Sequence, residues 1–455
     1  MSHNACERIW FELQEVHSHI CGSNRHWCQR IETIHSLFRG EESVNVADND
    51  ETLVSPAPGA NVVTKPALTP LWVVFGLAMG PLVGVGLSRF AYALLLPAMR
   101  SDLGWSFANA GALNSANAAG YLAGALVAAP VGRRFGDKAV FALGLLLTAI
   151  TTGASGLTAN FTALLVWRLI SGFTGAIALV SGAGLTAVAA AGGSASRVPT
   201  LLGVYFAGAG IGVTASALAV PPLLATMGWR VGWLILGGLA LAATFYGWLI
   251  LSRVPEPSYG FHDARGGWSP RFMACKLVSY CLFGAGYIAY ATFIIAFLRS
   301  SEGFDSGSVT AFWTILGLSG VVAAFAWGPV LGRLKGGWGA AATMGTVTIG
   351  AALPLLWPSL TGAFLSSVMF GGSFLAVIAA VASFARRVAK PHAWTAAMAA
   401  LTIAFGIGQC IGPVLSGALS DGPNGIRSGL WLSVAILIAA TIIAAFQPEP
   451  AAIHE

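Results

Sequence analysis

Long apolar stretches separated by short polar breaks run from Leu71 to Phe446, whereas the first 70 residues contain no long apolar run. Each stretch has about 20 to 30 residues, enough for a helix to cross a hydrocarbon core of roughly 30 Å. The stretches are continuous rather than alternating, which predicts helices and not strands. The twelve predicted spans are residues 71–97, 107–130, 138–158, 161–191, 199–226, 231–252, 272–298, 308–331, 338–359, 361–384, 394–420 and 427–446.

The composition is that of an integral membrane protein. Hydrophobic residues make up 56% of the chain and charged residues 9%, against about a quarter charged in soluble domains. Of 42 charged side chains, 14 lie in the first 70 residues, which leaves 28 for the remaining 385. The net charge of +6 therefore reflects membrane orientation, and no basic run indicates a nucleic-acid partner.

Residues 1–70 are predicted to be a polar tail, either disordered or the result of a start assigned too early. They hold five of the eight His and three of the six Cys, but no Cys-x-x-Cys pair. Zinc sites need closely paired ligands, so we expect no metal and no cofactor. A secretory signal is not predicted either, because a charged start followed by an apolar run is missing.

The distribution of Lys and Arg predicts the orientation. Thirteen fall in breaks on one side of the predicted membrane and four on the other. Cytoplasmic loops carry the excess of positive charge, so both termini are predicted to be cytoplasmic. The predicted domains are an N-terminal six-helix bundle at 71–252, a cytoplasmic linker at 253–271, a C-terminal six-helix bundle at 272–446 and a tail at 447–455.

A shift of 200 residues superposes glycines in equivalent spans of the two halves. Such internal similarity predicts two repeats, which an even number of spans per half makes parallel. The superposed pairs include Gly84 with Gly284, Gly86 with Gly286, Gly120 with Gly320, Gly172 with Gly372, Gly208 with Gly408 and Gly212 with Gly412.

The break after the second span reads Pro130-Val-Gly-Arg-Arg-Phe-Gly-Asp-Lys138. It resembles the signature loop of the major facilitator superfamily, a Gly followed by an Asp-Arg-x-Gly-Arg pattern. Here Arg133 takes the acidic position and Asp137 a basic one, so the gating salt bridge of that loop is not carried over. The gating-loop candidates that the resemblance implies are Gly132, Arg133, Arg134, Gly136, Asp137, Lys138 and Arg333.

Two further segments extend the resemblance over about Leu71 to Phe446. The fourth span contains Arg168-Leu-Ile-Ser-Gly-Phe-Thr-Gly, similar to a second motif of the superfamily. The segment Gly86-Leu-Ser-Arg-Phe-Ala-Tyr, followed by Asn114-x-x-Asn-x-x-Gly-Tyr, resembles the bacterial YbfB/YjiJ-like branch. The resemblance implies an all-α fold of twelve transmembrane helices in two parallel six-helix bundles, and a permease or efflux protein of the bacterial inner membrane.

Only Arg89 and Arg168 place a charge deep in a span, at a cost of a few kcal/mol each. Every acidic residue after position 70 lies in a break, at a span end or in the tail, so a substrate anion, helix carbonyls or water must neutralise them. A purely structural role is the alternative for each. Tyr92 lies three residues after Arg89 on one helical face, where the two are expected to clamp a planar anion.

Other polar groups inside the spans are further candidates for substrate binding. Asn114, Asn117 and Tyr121 fall at i, i+3 and i+7, a polar stripe expected to face a cavity rather than lipid. Hydrogen bonding between helices explains this stripe equally well. The remaining candidates are Tyr205, Tyr287 and Gln409, in the fifth, seventh and eleventh spans.

These observations favour a secondary active or facilitative transporter of a small organic solute, anionic or polar, working by alternating access. A non-transporting membrane receptor or scaffold is the alternative. No Walker loop or membrane-embedded His-Glu-x-x-His helix occurs, so we expect no enzyme and no catalytic residue. Proton coupling and uniport both stay open, because no Asp, Glu or His is centred in a span. We expect a monomer whose partners are the substrate and the lipid bilayer.

Overall fold

The computed structural model describes residues 71–191, 197–256, 271–388 and 394–448. The predictions for the N-terminal tail, for most of the linker and for most of the C-terminal tail lie outside the described residues. Within them the chain forms twelve helices in two six-helix bundles. The helices are α1 (Leu71–Leu103), α2 (Phe107–Phe135), α3 (Asp137–Ala154), α4 (Phe161–Ala191), α5 (Thr200–Leu224), α6 (Thr226–Arg253), α7 (Ala274–Ser300), α8 (Ser306–Arg333), α9 (Trp338–Leu356), α10 (Leu360–Val388), α11 (Trp394–Ser420) and α12 (Ile426–Ala445).

Eleven helices of the described segments are long and apolar enough to cross a membrane. The twelfth, α2, has 29 residues and is also long enough, but it carries the polar stripe and ends with Arg133 and Arg134. Its buried face is made largely of Gly, Ala and Asn, which contribute little apolar character. The predicted all-α membrane fold is confirmed, and α2 is the helix whose polar side chains are enclosed by the others.

Some helices extend beyond the approximate span ends that the sequence predicts, and two of those ends lie at a proline. The sequence predicts the first span to end at Pro97 and the second at Pro130, yet α1 continues to Leu103 and α2 to Phe135. Proline removes one backbone donor, which neighbouring helices and local adjustment tolerate inside a membrane protein. The α10 helix is interrupted at Gly372 and Ser373, and it extends four residues beyond the predicted end at 384.

Nine residues of α1, Leu82–Phe90, form a π-helix. Its end is marked by the amide of Ala91, which donates to the carbonyl of Gly86 at 3.1 Å, an i to i−5 bond. A π-helix turns each residue through a smaller angle than an α-helix, so side chains after it face other directions than an α-helical count predicts. Ser88, Arg89 and Phe90 lie in this segment.

The two bundles use the same contact between their first and fifth helices. In the N-terminal bundle, β-carbons added at Gly208 and Gly212 of α5 would collide with the carbonyl oxygens of Ala78 and Leu82 of α1. In the C-terminal bundle, Gly408 and Gly412 of α11 meet the carbonyls of Cys281 and Ala285 of α7 in the same way. Glycines that superpose in the sequence therefore allow equivalent helix pairs to approach closely.

The bundles meet through α2 against α11, α5 against α8 and the end of α1 against α7. At one end of this interface the carboxylate of Asp421 accepts from the backbone amides of Phe107, at 2.7 Å, and Ala108, at 3.0 Å. Close by, Gly417 of α11 lies directly on the carbonyl of Phe107. This closed end is the one that the charge count predicts to be extracellular.

Candidate functional site

Arg89 connects the two bundles at the middle of the interface. Its guanidinium is buried, with 4% of the residue exposed, and donates from Nη2 to Oε1 of Gln409 at 2.6 Å. Nε2 of Gln409 in turn donates to the hydroxyl of Tyr287 at 2.8 Å. Three of the predicted site residues, from α1, α11 and α7, thus form one hydrogen-bonded chain.

The directions of these hydrogen bonds leave donors unused. An arginine only donates, so the oxygen of Gln409 faces Arg89 and the amide nitrogen faces Tyr287. Because the Tyr287 oxygen accepts that bond, its own hydroxyl hydrogen is available to another group. Nε of Arg89 has no hydrogen-bond partner among the described residues. The arrangement therefore offers hydrogens and positive charge, which an anion would satisfy.

Tyr121 of α2 borders the same group. Its ring lies 5.0 Å from the guanidinium carbon of Arg89, in the geometry of a cation–π contact, and the residue is only partly buried. Tyr121 thus joins one member of the polar stripe to Arg89.

Flat aromatic rings surround Tyr287 on the C-terminal side. Phe405 lies 5.6 Å from Tyr287 and 4.5 Å from Tyr280, centroid to centroid, with interplanar angles of 9° and 11°. Phe283 stacks on Tyr287 at 5.0 Å. The sequence identified Tyr287 but not Tyr280, Phe283 or Phe405, although Tyr280, Phe283 and Tyr287 follow one another at spacings of three and four residues along one face of α7.

Arg168 is also buried but stays within the N-terminal bundle. It is 1% exposed, and Nη1 donates to the backbone carbonyl of Ser88 at 2.5 Å. The rings of Tyr92 and Trp233 lie 5.1 and 5.4 Å from its guanidinium carbon. Tyr92 therefore packs on Arg168, because the π-helix before it changes the direction that Arg89 takes. The clamp of an anion between Arg89 and Tyr92 stays a prediction.

Among the described residues, no carboxylate lies within ion-pair distance of either buried arginine. A surface ion pair joins Arg230 to Asp102 at 3.5 Å, and both side chains are about half exposed. The buried partners of Arg89 and Arg168 are an amide oxygen and a backbone carbonyl.

The other members of the polar stripe are buried and bonded to neighbouring helices. Nδ2 of Asn114 donates to Thr292 of α7 at 2.5 Å, across the interface. Nδ2 of Asn117 donates to the carbonyl of Arg168 and to Ser171, inside the N-terminal bundle. The stripe is shielded from lipid, and it serves helix packing as well as the interface.

Tyr205 lies apart from this chain of contacts. Its hydroxyl donates to the carbonyl of Leu179 at 2.6 Å, and its ring end packs against Gly80 and Gly182. The side chain joins α5 to α1 and α4, which is a packing role within the N-terminal bundle.

The predicted gating loop is mostly helical. Gly132, Arg133 and Arg134 belong to the last turn of α2, and Gly136 alone leaves the helix, with φ of 84° that suits glycine. The remaining candidates are Asp137, which begins α3 and is buried, Lys138, whose amide donates to Glu256 at 3.3 Å, and Arg333, which ends α8 and is exposed.

The chain contains no group of three or more His, Cys, Asp or Glu side chains able to hold a metal, as far as its described segments extend. Around Arg89 the structure brings together hydrogen-bond donors, one positive charge and aromatic surfaces.

Solved structures of two transporters share this fold. The bacterial homolog of the human lysosomal transporter Spinster, in an inward-facing and unoccupied conformation, has a TM-score of 0.64 at 16% identity, covering 82% of this chain and 96% of that one. The nucleoside transporter NupG has a TM-score of 0.63 at 16% identity, covering 83% and 98%. At such identities the likeness concerns the fold alone.

Three curated proteins are similar in sequence. A tetracenomycin C resistance and export protein of Streptomyces glaucescens is 27% identical over 199 residues, which is 44% of this chain and only 36% of that protein. A putative metabolite transport protein of Haemophilus influenzae is 24% identical and covers 75% of this chain and 88% of its own. A chloramphenicol resistance protein of Streptomyces lividans is 26% identical, at 80% and 92%.

Residues 81–445 match the family described as "Uncharacterised MFS-type transporter YbfB". Family and structural neighbours are transporters and not enzymes, so the chain is a multi-pass membrane transporter of a small-molecule substrate. Since the match spans most of the chain, the protein belongs to this YbfB family of the major facilitator superfamily.

Proposed function

We propose that the protein moves a small organic anion across the membrane by alternating access, and that Arg89 binds the anionic group. The observation that carries the proposal is the chain from Arg89 through Gln409 to Tyr287, which joins the two bundles with donors left over. Its action would be secondary active or facilitative, since the sequence has no nucleotide-binding loop.

Charge supports an anionic rather than a neutral substrate. A buried guanidinium without a carboxylate partner is costly in a low-dielectric interior. A bound carboxylate would accept from Nε of Arg89 and from the hydroxyl of Tyr287, while Tyr121 and the rings around Tyr287 would contact the organic part. Hydrogen bonds to charged groups contribute about 1.5–3 kcal/mol each.

The interface supports alternating access. Residues from both bundles would hold the substrate, and close contacts such as Gly417 on the carbonyl of Phe107 lie between the bundles at one end. If both termini are cytoplasmic, as the loop charges predict, the closed end faces outside and the site would open to the cytoplasm. We propose outward transport from the bacterial inner membrane by a monomer, a direction favoured by relatives named for resistance and export.

The test pairs each organic acid with its neutral amide, beginning with benzoate and benzamide, in thermal-shift assays on the purified protein. We expect acids to raise the melting temperature and amides to leave it unchanged. Arg89→Ala should weaken binding of the best acid about 100-fold, and Arg89→Lys about tenfold, because lysine keeps the charge but loses the planar fork. Arg230→Ala, at the exposed ion pair, is the matched control.

Flux of the labelled acid into proteoliposomes then separates a transporter from a receptor. Binding without flux would contradict transport, and unchanged affinity in a well-folded Arg89→Ala variant would contradict the assignment of Arg89.

A further inference from the structure

We infer that the substrate is an elongated aromatic acid with a hydroxyl group at the end opposite its carboxylate, and that Tyr280 of α7 binds this hydroxyl. The inference rests on the proposed function, because it takes the carboxylate to be held at Arg89. It adds the second polar end of the substrate and the residue that selects for it.

Tyr280 has an unused hydroxyl, unlike the other two tyrosines of α7. Tyr287 accepts a hydrogen bond from Nε2 of Gln409, and the hydroxyl of Tyr290 is bonded to the hydroxyl of Ser366 at 2.7 Å. The Tyr280 hydroxyl has no hydrogen-bond partner among the described residues, although only 5% of the residue is exposed. Tyrosine hydroxyls in the interior normally find a partner, so the missing partner is expected to come from a ligand.

The hydroxyl of Tyr280 borders open space. The described interior contains polar atoms that are both enclosed and unpartnered, and this hydroxyl is not among them. From Phe283 to Leu298 α7 is buried without interruption, whereas most of its residues before Phe283 are partly or fully exposed. The buried part includes Phe293, which packs edge-on against Phe107 at the closed end of the interface, with ring centroids 5.9 Å apart. Tyr280 therefore lies on the side of the site away from the closed end.

Tyr121 of α2 faces the same space from the N-terminal bundle. The residue is partly exposed, and it lies close enough to Tyr280 for the two side chains to interact electrostatically. The ring of Tyr121 also contacts the guanidinium of Arg89. Tyr121 thus connects the Arg89 end of the space with the Tyr280 end, so both ends belong to one site.

The spacing of tyrosines along α7 indicates the length of the substrate. Tyr280 and Tyr287 are seven residues apart, which is two helical turns and about 10 Å along one face. Tyr287 marks the carboxylate end, because its partner Gln409 also binds Arg89. A carboxylate alone cannot reach both ends. An aromatic ring with its carboxylate on a short side chain and a hydroxyl opposite that chain can.

Aromatic side chains between the two polar ends favour an aromatic middle for the substrate. Phe405 stacks on Tyr280, with centroids 4.5 Å apart, and on Tyr287, with centroids 5.6 Å apart. The three ring planes are nearly parallel, at interplanar angles of 11° and 9°. Aromatic side chains bind other rings through offset-stacked or edge-to-face contacts. A hydroxycinnamate has the carboxylate, the ring and the distal hydroxyl that these side chains would bind.

The experiment measures the dissociation constants of cinnamate and 4-hydroxycinnamate for the full-length protein in detergent, by isothermal titration calorimetry. We expect 4-hydroxycinnamate to bind about fivefold more tightly, the effect of one hydrogen bond. The isomer 2-hydroxycinnamate should bind like cinnamate, because its hydroxyl lies beside the side chain and not at the far end of the ring.

The failures of this inference and of the proposed function differ in this experiment. Equal affinity for cinnamate and 4-hydroxycinnamate, or equal affinity for the two hydroxy isomers, would overturn the inference and leave the proposed function standing. Absence of binding by all three acids would contradict the proposed function, and this inference with it.

Two variants on the same helix test the role of Tyr280. Tyr280→Phe removes an unpaired hydroxyl, so we expect an unchanged melting temperature, unchanged affinity for cinnamate and no preference for 4-hydroxycinnamate. Tyr290→Phe is the matched control and should keep the preference, because the Tyr290 hydroxyl is already bonded to Ser366. An undiminished preference in Tyr280→Phe would overturn the assignment of Tyr280, and a loss of the preference in Tyr290→Phe as well would show that it does not depend on the free hydroxyl.

Discussion

Arg89 and Arg168 are held in different ways, although both belong to the N-terminal bundle. Arg89 follows Ser88 in α1, and Arg168 of α4 contacts the carbonyl of that same Ser88. Arg89 extends from that turn to Gln409 in the other bundle, whereas Arg168 donates to the carbonyl of Ser88 in its own. In the alternating access that we propose, contacts within a bundle persist while the bundles move as bodies, and contacts between the bundles break in each cycle. On that proposal, Arg168 keeps its bundle folded and Arg89 controls the movement of the bundles.

Glycine substitutions should show the difference between contacts within a bundle and contacts between bundles most strongly. Gly120 of α2 meets the carbonyl of Leu169 within one bundle, and Gly417 of α11 meets the carbonyl of Phe107 between bundles. We expect Gly120→Ala to lower the stability of the fold by about 2 kcal/mol through overpacking. Gly417→Ala should leave the melting temperature nearly unchanged, because separating the bundles relieves the collision.

The measurement for this pair is thiol labelling of Ser420→Cys, a buried position at the closed end, in a background without the native cysteines. Labelling should become faster in Gly417→Ala and not in folded Gly120→Ala. Equal losses of stability in both variants would contradict the distinction between contacts within a bundle and contacts between bundles.

Exchanging Gln409, the partner of Arg89, should weaken the binding of organic acids about tenfold. Gln409→Glu places a carboxylate where Arg89 now meets an amide oxygen, so an internal ion pair replaces the binding of an external anion. We expect a higher melting temperature together with about tenfold weaker binding of organic acids. Gln409→Leu is the control and should weaken binding without raising the melting temperature. If Gln409→Glu bound organic acids as tightly as the unmodified protein does, the result would contradict the proposal that Arg89 binds them.

Two aspartates that cap helices, one within a bundle and one between bundles, should show the smallest effect. Asp305 caps α8 in its own bundle by accepting from the amide of Ser308 at 2.9 Å, whereas Asp421 caps α2 across the interface. Asp421→Ala should speed labelling of Ser420→Cys about fivefold, as expected for a cap of about 1 kcal/mol. Asp305→Ala should leave the labelling rate unchanged, and a change in that rate would contradict the distinction.

The pH dependence of the Asp305 cap has a definite sign. Hydrogen bonds from Ser308 hold the pKa of Asp305 below its usual value. A depressed folded pKa means that the contribution is fully present above the unfolded value of about 3.9 and is lost as the pH falls through the lower folded value. The melting-temperature difference between the protein and Asp305→Ala should therefore stay constant down to about pH 4 and shrink below it.

The sequence predicted the helices and the two charges well because both depend on composition along single spans. Apolar length predicted the membrane-spanning helices, and the cost of a buried charge identified Arg89 and Arg168 before any contact was known. Gln409 and Tyr287 were also identified as polar groups in spans, but their bond to one another depends on how α7 and α11 pack.

What the sequence did not predict depends on local backbone geometry and on contacts between distant segments. The sequence did not predict that Tyr92 packs on Arg168, because an α-helical count does not apply after a π-helix. Trp233 and Phe405 look like ordinary apolar residues of a span, and only the packing of α6 on α4 and of α11 on α7 brings their rings to Arg168 and Tyr287.

The π-helix at Leu82–Phe90 also affects how relatives should be aligned with this chain. A π-turn accommodates a residue more than an α-turn does, so the parts of α1 before and after it belong to two helical registers. A relative with a regular α-helix here would need a gap within this span, although gaps are normally placed in loops. Without that gap, the alignment would place Arg89 opposite the residue next to the relative's equivalent one. An arginine that both proteins share would then look like a substitution.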